Sequence, residues 1–359
     1  MSRFVFISIL VLSATDWACA QTPSVSEQSP VTTRYALSID NDATSYGNLT
    51  QPLPKVLNQV LVEPQFSLSY GDRVTIATNL IGISGAYTDN YTQLSVRETY
   101  ADLSAGNLDL TIGRRLVRWG TGYAFTAAGV LDPPRIATNP TDRLNVEPGR
   151  DMVKADWVRG QSDLTLAWST AEFAPAGSNL RDTTAFRYNF LVRGFDTSLI
   201  AGNDHGGDSF GALTFTRVFG QAWEVHGEAA WREQAAALIG AKYTVANIDF
   251  IGEFYAPPNI PYYRDAGVST LAGRQHYAFF SAGKARLREL PGWKEWSVSG
   301  AIVANLDDRS YTPVFDASRW FGNHFSAYVH LEAPRGNPTS EYGSAPYSTA
   351  TSAGVRFQL

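Results

Sequence analysis

Apolar and polar side chains alternate with a period of two from Thr33 to the C-terminus, in segments of about ten residues. In the segment 223–232, tryptophan, valine and alanine occupy one row, and the other row carries Glu224, His226, Glu228 and Arg232. Burying that second row in a dry core would be costly because each unpaired charge loses its hydration. A water-filled lumen removes this cost. Since tilted strands of about ten residues span a bilayer, the pattern predicts a transmembrane β-barrel.

The predicted fold is all-β, a single antiparallel up-and-down barrel of about 18 strands (16–18), in which segments 194–203 and 309–316 are the least regular. If the N-terminus is periplasmic, the odd-numbered connections are extracellular and long. These are approximately 41–58, 83–90, 119–149, 172–183, 203–207, 233–236, 256–274, 305–308 and 333–349. Even-numbered connections are tight, as at Gly71-Asp72 and Gly160-Gln161. The parity predicts long extracellular loops and short periplasmic turns, with 233–236 and 305–308 as short exceptions.

The N-terminus has the features of a secretory signal. Arg3 is followed by a short apolar stretch, 4–14, and Ala18-Cys19-Ala20 fits the pattern cut by signal peptidase. We predict a signal peptide over 1–20 with cleavage near Ala20, a short periplasmic segment over 21–32 and the barrel over 33–359. The alternative is lipidation at Cys19, but Asp16 and Trp17 do not fit a lipobox. The predicted location is the outer membrane of a Gram-negative cell.

Composition narrows the classes of function. The net charge of −5 is mildly acidic and argues against nucleic acid as a partner. Cys19 is the only cysteine, so the mature chain has no disulfide, thiolate metal site or cysteine nucleophile. Asp40-Asn41-Asp42 lacks the other spaced oxygen ligands of a calcium loop. We predict neither a cofactor nor a bound metal.

Two segments resemble known outer-membrane proteins. Residues 97–120 contain Arg-Glu-Thr-Tyr-Ala-Asp-Leu, then Gly113-Arg114-Arg115 and Trp119-Gly120. This resembles a hairpin of porin-like families, including the alginate-export type, with Arg115 where glutamine is usual. In a regular strand Arg97 and Glu98 would lie on opposite faces. The resemblance implies a porin-like barrel and leaves the substrate open.

The last strand, which alternates from Thr351 to Leu359, resembles the C-terminal signal of outer-membrane proteins. Phenylalanine usually ends that signal, whereas here Phe357 stands two residues earlier. The resemblance implies the barrel-assembly machinery as a partner. The predicted channel in a membrane has two further partners, outer-membrane lipid and small polar solutes. The alternation does not define an oligomeric state.

The longest connection, 119–149, is the third extracellular one. Prolines such as Pro133-Pro134 stiffen it, and Trp119, Tyr123 and Phe125 give it packing surface. We expect it to fold inward and constrict the lumen, as the third loop does in many porin-type barrels. Charges in such a constriction select solutes, but they also fit ion pairs that hold the loop to the wall, and both interpretations stay open.

The predicted pore-lining and constriction residues are Arg115, Arg135, Arg143, Arg150, Lys154, Asp156, Arg187, Glu224, His226, Glu228, Arg232, Asp249 and Glu253.

These features predict a porin-like channel for passive or selective diffusion of small polar solutes, and not an enzyme. One alternative is an outer-membrane hydrolase, for which the row His324, Ser326, His330 and Glu332 is the best candidate. Another is a non-conducting barrel used in assembly or adhesion. The alternation identifies neither the solute nor the charge selectivity.

Overall fold

The computed structural model describes residues 30–50, 54–86, 90–132, 135, 137, 148–172, 182–205, 208–232, 234–257, 276–287 and 292–359. The predicted signal peptide and most of the segment 21–32 lie outside these residues. In the described ranges, no helix is long and apolar enough to cross a bilayer.

Eighteen antiparallel strands form one sheet in which each strand pairs with its neighbours along the chain. β1 also pairs with β18, which closes the sheet and confirms the predicted up-and-down barrel. The strands are β1 (Val31–Gly47), β2 (Val56–Tyr70), β3 (Val74–Ala86), β4 (Asn90–Ala105), β5 (Leu108–Arg115), β6 (Arg150–Arg159), β7 (Ser162–Thr170), β8 (Thr183–Val192), β9 (Phe195–Asp204), β10 (Ser209–Phe219), β11 (Trp223–Trp231), β12 (Ala235–Val245), β13 (Ile248–Ala256), β14 (Tyr277–Lys284), β15 (Trp296–Asn305), β16 (Ser310–Phe321), β17 (Phe325–Glu332) and β18 (Thr349–Gln358).

The two faces of the sheet differ in the way that the alternation predicts. In β11, Trp223 and Trp231 are exposed on the outer surface, whereas His226 and Glu228 are buried on the inner one. Large apolar side chains on other strands share the outer surface, among them Leu213, Phe280 and Phe315. An apolar exterior and a polar interior are what a barrel in lipid requires.

The two ends of the barrel differ in the length of their connections. At one end most connections are tight, and Gly71, Gly106, Gly160 and Gly220 adopt positive φ there, which glycine reaches without steric cost. The connection 285–295 is the long exception at that end. The other end has the long connections 48–55, 116–149, 171–182, 257–276 and 333–348, so the predicted difference between periplasmic turns and extracellular loops is confirmed. Four connections at that end are short, namely 87–89, where a loop over 83–90 was expected, 205–208, 232–234 and 306–309.

Strand β1 continues further than its sequence predicts. It begins at Val31, two residues before the expected start, and residues 41–47, expected in a loop, are part of it. They remain in the sheet because they pair with β18 on one side and, as far as Ser45, with β2 on the other. The predicted loop 41–58 is therefore wrong at both edges, and the connection covers only 48–55.

A β-bulge in β4 explains where Arg97 and Glu98 point. The register with β3 shifts between Asn79 and Leu80, so Arg97 is the extra residue. Arg97 then bonds Glu63 of β2 at 2.9 Å, and Glu98 accepts the Leu116 N–H at 2.8 Å. The bulge turns both side chains towards the interior, which a regular strand cannot do.

Gly113 provides a test of the β4–β5 pairing. Its φ is +121°, and an added Cβ would overlap the carbonyl oxygen of Thr99. We expect Gly113→Ala to lower the free energy of unfolding by about 2 kcal/mol, because an L-residue is strained there. Gly252→Ala is the control, since a Cβ at Gly252 meets open space. Urea unfolding in lipid vesicles, followed by tryptophan fluorescence, measures both, and equal stability of the two variants would contradict this account.

Candidate functional site: the lumen and its inner loop

The connection between β5 and β6, residues 116–149, enters the barrel and is called the inner loop. Its described residues form no helix or strand, yet Trp119, Phe125 and Leu131 are buried. Val117, Trp119 and Leu131 belong to an apolar cluster with inward side chains of β6–β10, and Phe125 to a second cluster with those of β12–β16. The described residues of the inner loop therefore lie against the inner wall.

Glu228 of β11 is the main acceptor for the inner-loop backbone. Its carboxylate accepts hydrogen bonds from four N–H groups and one hydroxyl, with distances of 2.5 to 2.9 Å, namely Thr121 N, Gly122 N, Ala127 N, Ala128 N and Thr126 Oγ1. Only 3% of Glu228 is exposed. The two carboxylate oxygens thus bind the two flanks of one loop turn.

Glu253 of β13 does the same for the adjacent residues. It accepts the N–H groups of Tyr123, Ala124 and Phe125, the second at 2.8 Å and the third at 3.3 Å. His226 is fully buried beside it, with Nε2 at 2.9 Å from the carboxylate. Glu228 and Glu253 together bind seven consecutive or nearly consecutive peptide groups.

This arrangement has a simple physical reason. A buried segment without helix or strand leaves its peptide N–H groups without partners, which is costly. A buried carboxylate is costly too, unless donors surround it. The inner loop and the two glutamates satisfy each other. Gly120 and Gly122 allow the close approach, since a Cβ at either would overlap Thr126 or Phe125.

Asp132 joins the two ends of the segment 119–132 of the inner loop. Its carboxylate accepts the N–H groups of Trp119 at 2.6 Å and Gly120 at 3.1 Å, and Arg135 bonds it at 3.3 Å. Arg135 also donates to the Gly120 carbonyl at 2.9 Å. Burial raises the pKa of the Asp132 carboxyl, an effect that Arg135 and the two N–H groups partly oppose.

Aromatic rings fix the other side of the loop. Phe125 stacks on Tyr255 with 5.1 Å between ring centroids and packs at 5.7 Å from Tyr277. The guanidinium of Arg187 lies 5.9 Å from the Trp119 ring. These contacts fall on β8, β13 and β14, so the described part of the loop is held to the side of the barrel that these strands form.

Most basic side chains of the barrel interior form an ion pair with a carboxylate. The pairs are Arg97–Glu63, Arg115–Asp102, Lys154–Asp156, Arg187–Asp163, Arg232–Asp204, Lys242–Asp249 and Arg356–Asp40. Two further basic residues, Arg34 and Arg150, have inward parity.

Within the described residues, several interior carboxylates form no ion pair with lysine or arginine. They include Asp42, Glu98, Asp109, Asp196, Glu224, Glu228, Glu253 and Glu332. Because the ion pairs cancel and these carboxylates outnumber Arg34 and Arg150, the described part of the interior has a surplus of negative charge.

The structure separates the predicted pore-lining residues into groups. Arg115, Lys154, Asp156, Arg187, Glu224 and Asp249 point into the lumen and are partly exposed or lie at its recesses. Asp156 and Arg187 line one recess of about 370 Å³. Whether these residues contact a solute stays a prediction.

His226, Glu228, Arg232 and Glu253 also have inward parity, but each is at most 5% exposed. They hold neighbouring protein groups rather than face open lumen. Arg135 binds the inner-loop backbone, and Arg150 begins β6 opposite Arg115. Arg143 lies outside the described residues.

Sequence reasoning missed two contacts that shape the interior. Asp132, unremarkable in the sequence, caps the inner loop. The connection 333–348 also packs against the wall, where Glu341 accepts hydrogen bonds from Tyr277 and Asn305, each at 2.8 Å. A cluster of glycines next to aromatic residues, as in 119–125, was the one available signal for tight backbone packing.

The candidate hydrolase row does not assemble. His330 bonds Asp316 at 3.0 Å and His324 bonds the Gln358 carbonyl at 2.8 Å. Among the residues that the structure describes, no hydrogen bond joins Ser326 to a histidine, and no three His, Cys, Asp or Glu side chains are grouped to hold a metal.

Neither the protein-family models nor the curated protein sequences give a match. Solved structures share the fold. Pseudomonas aeruginosa OpdL has a TM-score of 0.63 at 10% identity, covering 91% of this chain and 98% of that one. OccK5 (OpdH) of the same organism has 0.62 at 10%, covering 91% and 98%, and OprD 0.61 at 11%, covering 91% and 95%.

These neighbours are outer-membrane porins, so the chain has the fold of a porin-like barrel. At such low identity the likeness concerns the fold alone. The alginate-export hairpin and the C-terminal signal remain predictions.

The carboxylate anchors can be tested by amide hydrogen exchange. Glu228→Gln replaces charge-assisted hydrogen bonds by weaker ones, so the inner-loop free energy of opening should fall by about 2 kcal/mol, equivalent to about 30-fold faster exchange at Thr121–Ala128. Glu332→Gln is the control because Glu332 bonds Tyr347 instead. Unchanged exchange in Glu228→Gln would show that the loop is held by its apolar contacts.

Proposed function

We propose that the protein is an outer-membrane channel for passive or selective diffusion of small polar solutes, in which the inner loop narrows the lumen. The observation that carries this proposal is the fixation of the loop to one side of the barrel by Glu228 and Glu253. A loop fixed in this way reduces the cross-section of the lumen without a conformational change. Elsewhere on the wall, the partly exposed Arg356 of β18, which is paired with the buried Asp40, faces a passing solute.

The proposal includes the route to the membrane. Residues 1–20 direct export and are cleaved near Ala20, and the last strand is recognised by the barrel-assembly machinery. The alternating pattern of Thr351–Leu359 supports this second step. Selectivity follows from the size of the lumen and its field, as in other narrow aqueous pores.

Conductance in planar bilayers tests the channel. The purified protein should give discrete steps, and deletion of 123–147 should enlarge them because the loop no longer fills part of the lumen. Deletion of 261–272, in another predicted extracellular connection, is the control and should leave the step size nearly unchanged. Absence of conductance in both the full chain and the 123–147 deletion would refute the channel.

The surplus of interior carboxylates predicts a preference for cations. In a gradient of KCl around 0.1 M, the reversal potential should give a potassium-to-chloride permeability ratio above about 5, decreasing at higher salt because of screening. Asp109→Asn combined with Asp196→Asn should lower that ratio. Asp72→Asn, which removes the same type of charge from a periplasmic turn, should not. A ratio of one or below in the unaltered protein would contradict the charge argument.

A further inference from the structure

Two arginines on the outer surface lie beside aromatic rings. Arg217 of β10 has outward parity, with its guanidinium carbon 4.7 Å from the Phe195 ring centroid and 4.6 Å from that of Phe219. Arg319 of β16 repeats the arrangement, at 5.8 Å from Trp296 and 4.9 Å from Phe321.

Both arginines lie near the periplasmic end of their strands. Arg217 precedes the turn at Gly220, and Arg319 precedes the turn at Gly322. β10 and β16 are six strands apart in the barrel, so the two places are separate. The same structure, an arginine beside two rings, therefore occurs twice at one membrane depth.

Further aromatic residues lie beside each of the two arginines and form part of an aromatic belt. Trp223 stacks on Tyr243 at 4.4 Å beside the first arginine. Trp293 packs against Trp296 at 5.3 Å beside the second. Aromatic belts of this kind lie at the level of the lipid headgroups. This depth brings Arg217 and Arg319 level with lipid phosphates.

The partners of these two arginines differ from those of the basic side chains that form ion pairs. Seven interior basic residues bond a carboxylate, and the outward-facing Arg114 bonds Asp151 with distances of 3.1 and 2.5 Å. Within the described part of the chain, Arg217 and Arg319 have ring contacts and no carboxylate partner. A cation at the edge of the hydrocarbon region is costly without a counter-ion.

The chemistry of the guanidinium group indicates which anion would neutralise Arg217 and Arg319. Stacking on rings uses the faces of the planar group and leaves its N–H donors free at the edge. Those donors match the oxygens of a phosphate, to which arginine binds with a fork of two hydrogen bonds. At this depth the available phosphate is that of a phospholipid.

We propose that Arg217 and Arg319, each with its pair of aromatic rings, form two binding sites for the phosphate of an anionic phospholipid in the periplasmic leaflet. The acyl chains lie along the exposed apolar rows of the same strands, which include Leu213 on β10 and Phe315 on β16. A net-negative headgroup is preferred because a zwitterionic one places its own cation beside the arginine.

Native mass spectrometry of the detergent-solubilised full-length mature protein tests this proposal with phosphatidylglycerol and phosphatidylcholine as probes. The unaltered protein should retain up to two phosphatidylglycerol molecules in preference to phosphatidylcholine. Arg217→Gln or Arg319→Gln should each remove one site, and the double variant should bind at least about tenfold less. Arg217→Lys, which keeps the charge and loses the fork, should bind with intermediate strength.

Arg159→Gln is the matched control. Arg159 lies at the periplasmic end of β6 with outward parity, and no ring contact of it is among those of the described residues. Its variant should bind phosphatidylglycerol as the unaltered protein does. Equal loss in the control would show a general charge effect and overturn the two sites, as would equal binding of both lipids. Loss of oligomers in the double variant, with lipid binding unchanged, would assign the arginines to contacts between copies of the chain.

Resistance of the folded barrel to SDS before heating shows that each variant is folded. The lipid readout does not depend on conductance, so a barrel that binds phosphatidylglycerol without conducting would refute the channel and leave these sites standing.

Discussion

The interior of this barrel depends on the hydrogen bonds between two wall carboxylates and the backbone of the inner loop. A loop inside a barrel has no neighbouring strand to accept its N–H groups, and water is excluded where it packs. One carboxylate offers several acceptor sites, so Glu228 and Glu253 accept the N–H groups that the carbonyls of a neighbouring strand would otherwise accept. The dependence is mutual, since both glutamates are buried and need those donors. The position of the described part of the inner loop thus depends on side chains on β11 and β13.

The barrel could be predicted from the sequence because its pattern is local. Alternation with a period of two assigns each residue to a face, and the parity of long and short connections assigns the ends. What failed depended on distant contacts. Residues 41–47 look like a loop, yet they remain in β1 because β18 pairs with them, and Asp40 bonds Arg356 at the far end of the chain. The bulge at Arg97 likewise follows from the register with β3, which no local pattern in β4 reveals.

The site was predictable in part for the same reason. Inward parity placed Glu228, Glu253 and Arg115 on the lumen side, but it cannot tell a carboxylate that faces water from one that lies under a loop. That difference depends on where residues 119–132 fold, which is decided by tertiary packing of Phe125 and Trp119. The alternation therefore predicts on which face of the sheet a side chain lies. Its burial determines whether it contacts water or the inner loop.

Arginines on the inner and outer faces of the sheet differ in the counter-ion that their surroundings supply. Inside, the medium is water and protein, and carboxylates on adjacent strands neutralise Arg115 and Arg356 while fixing their side chains. On the outer face Arg114 pairs with Asp151, but Arg217 and Arg319 have no such partner among the described residues. A carboxylate in hydrocarbon would be as costly as the arginine it would neutralise. Aromatic rings avoid that cost, because they carry no charge and still attract a cation through their faces. Arg217 and Arg319 thereby remain free to meet an anion that arrives with the membrane itself.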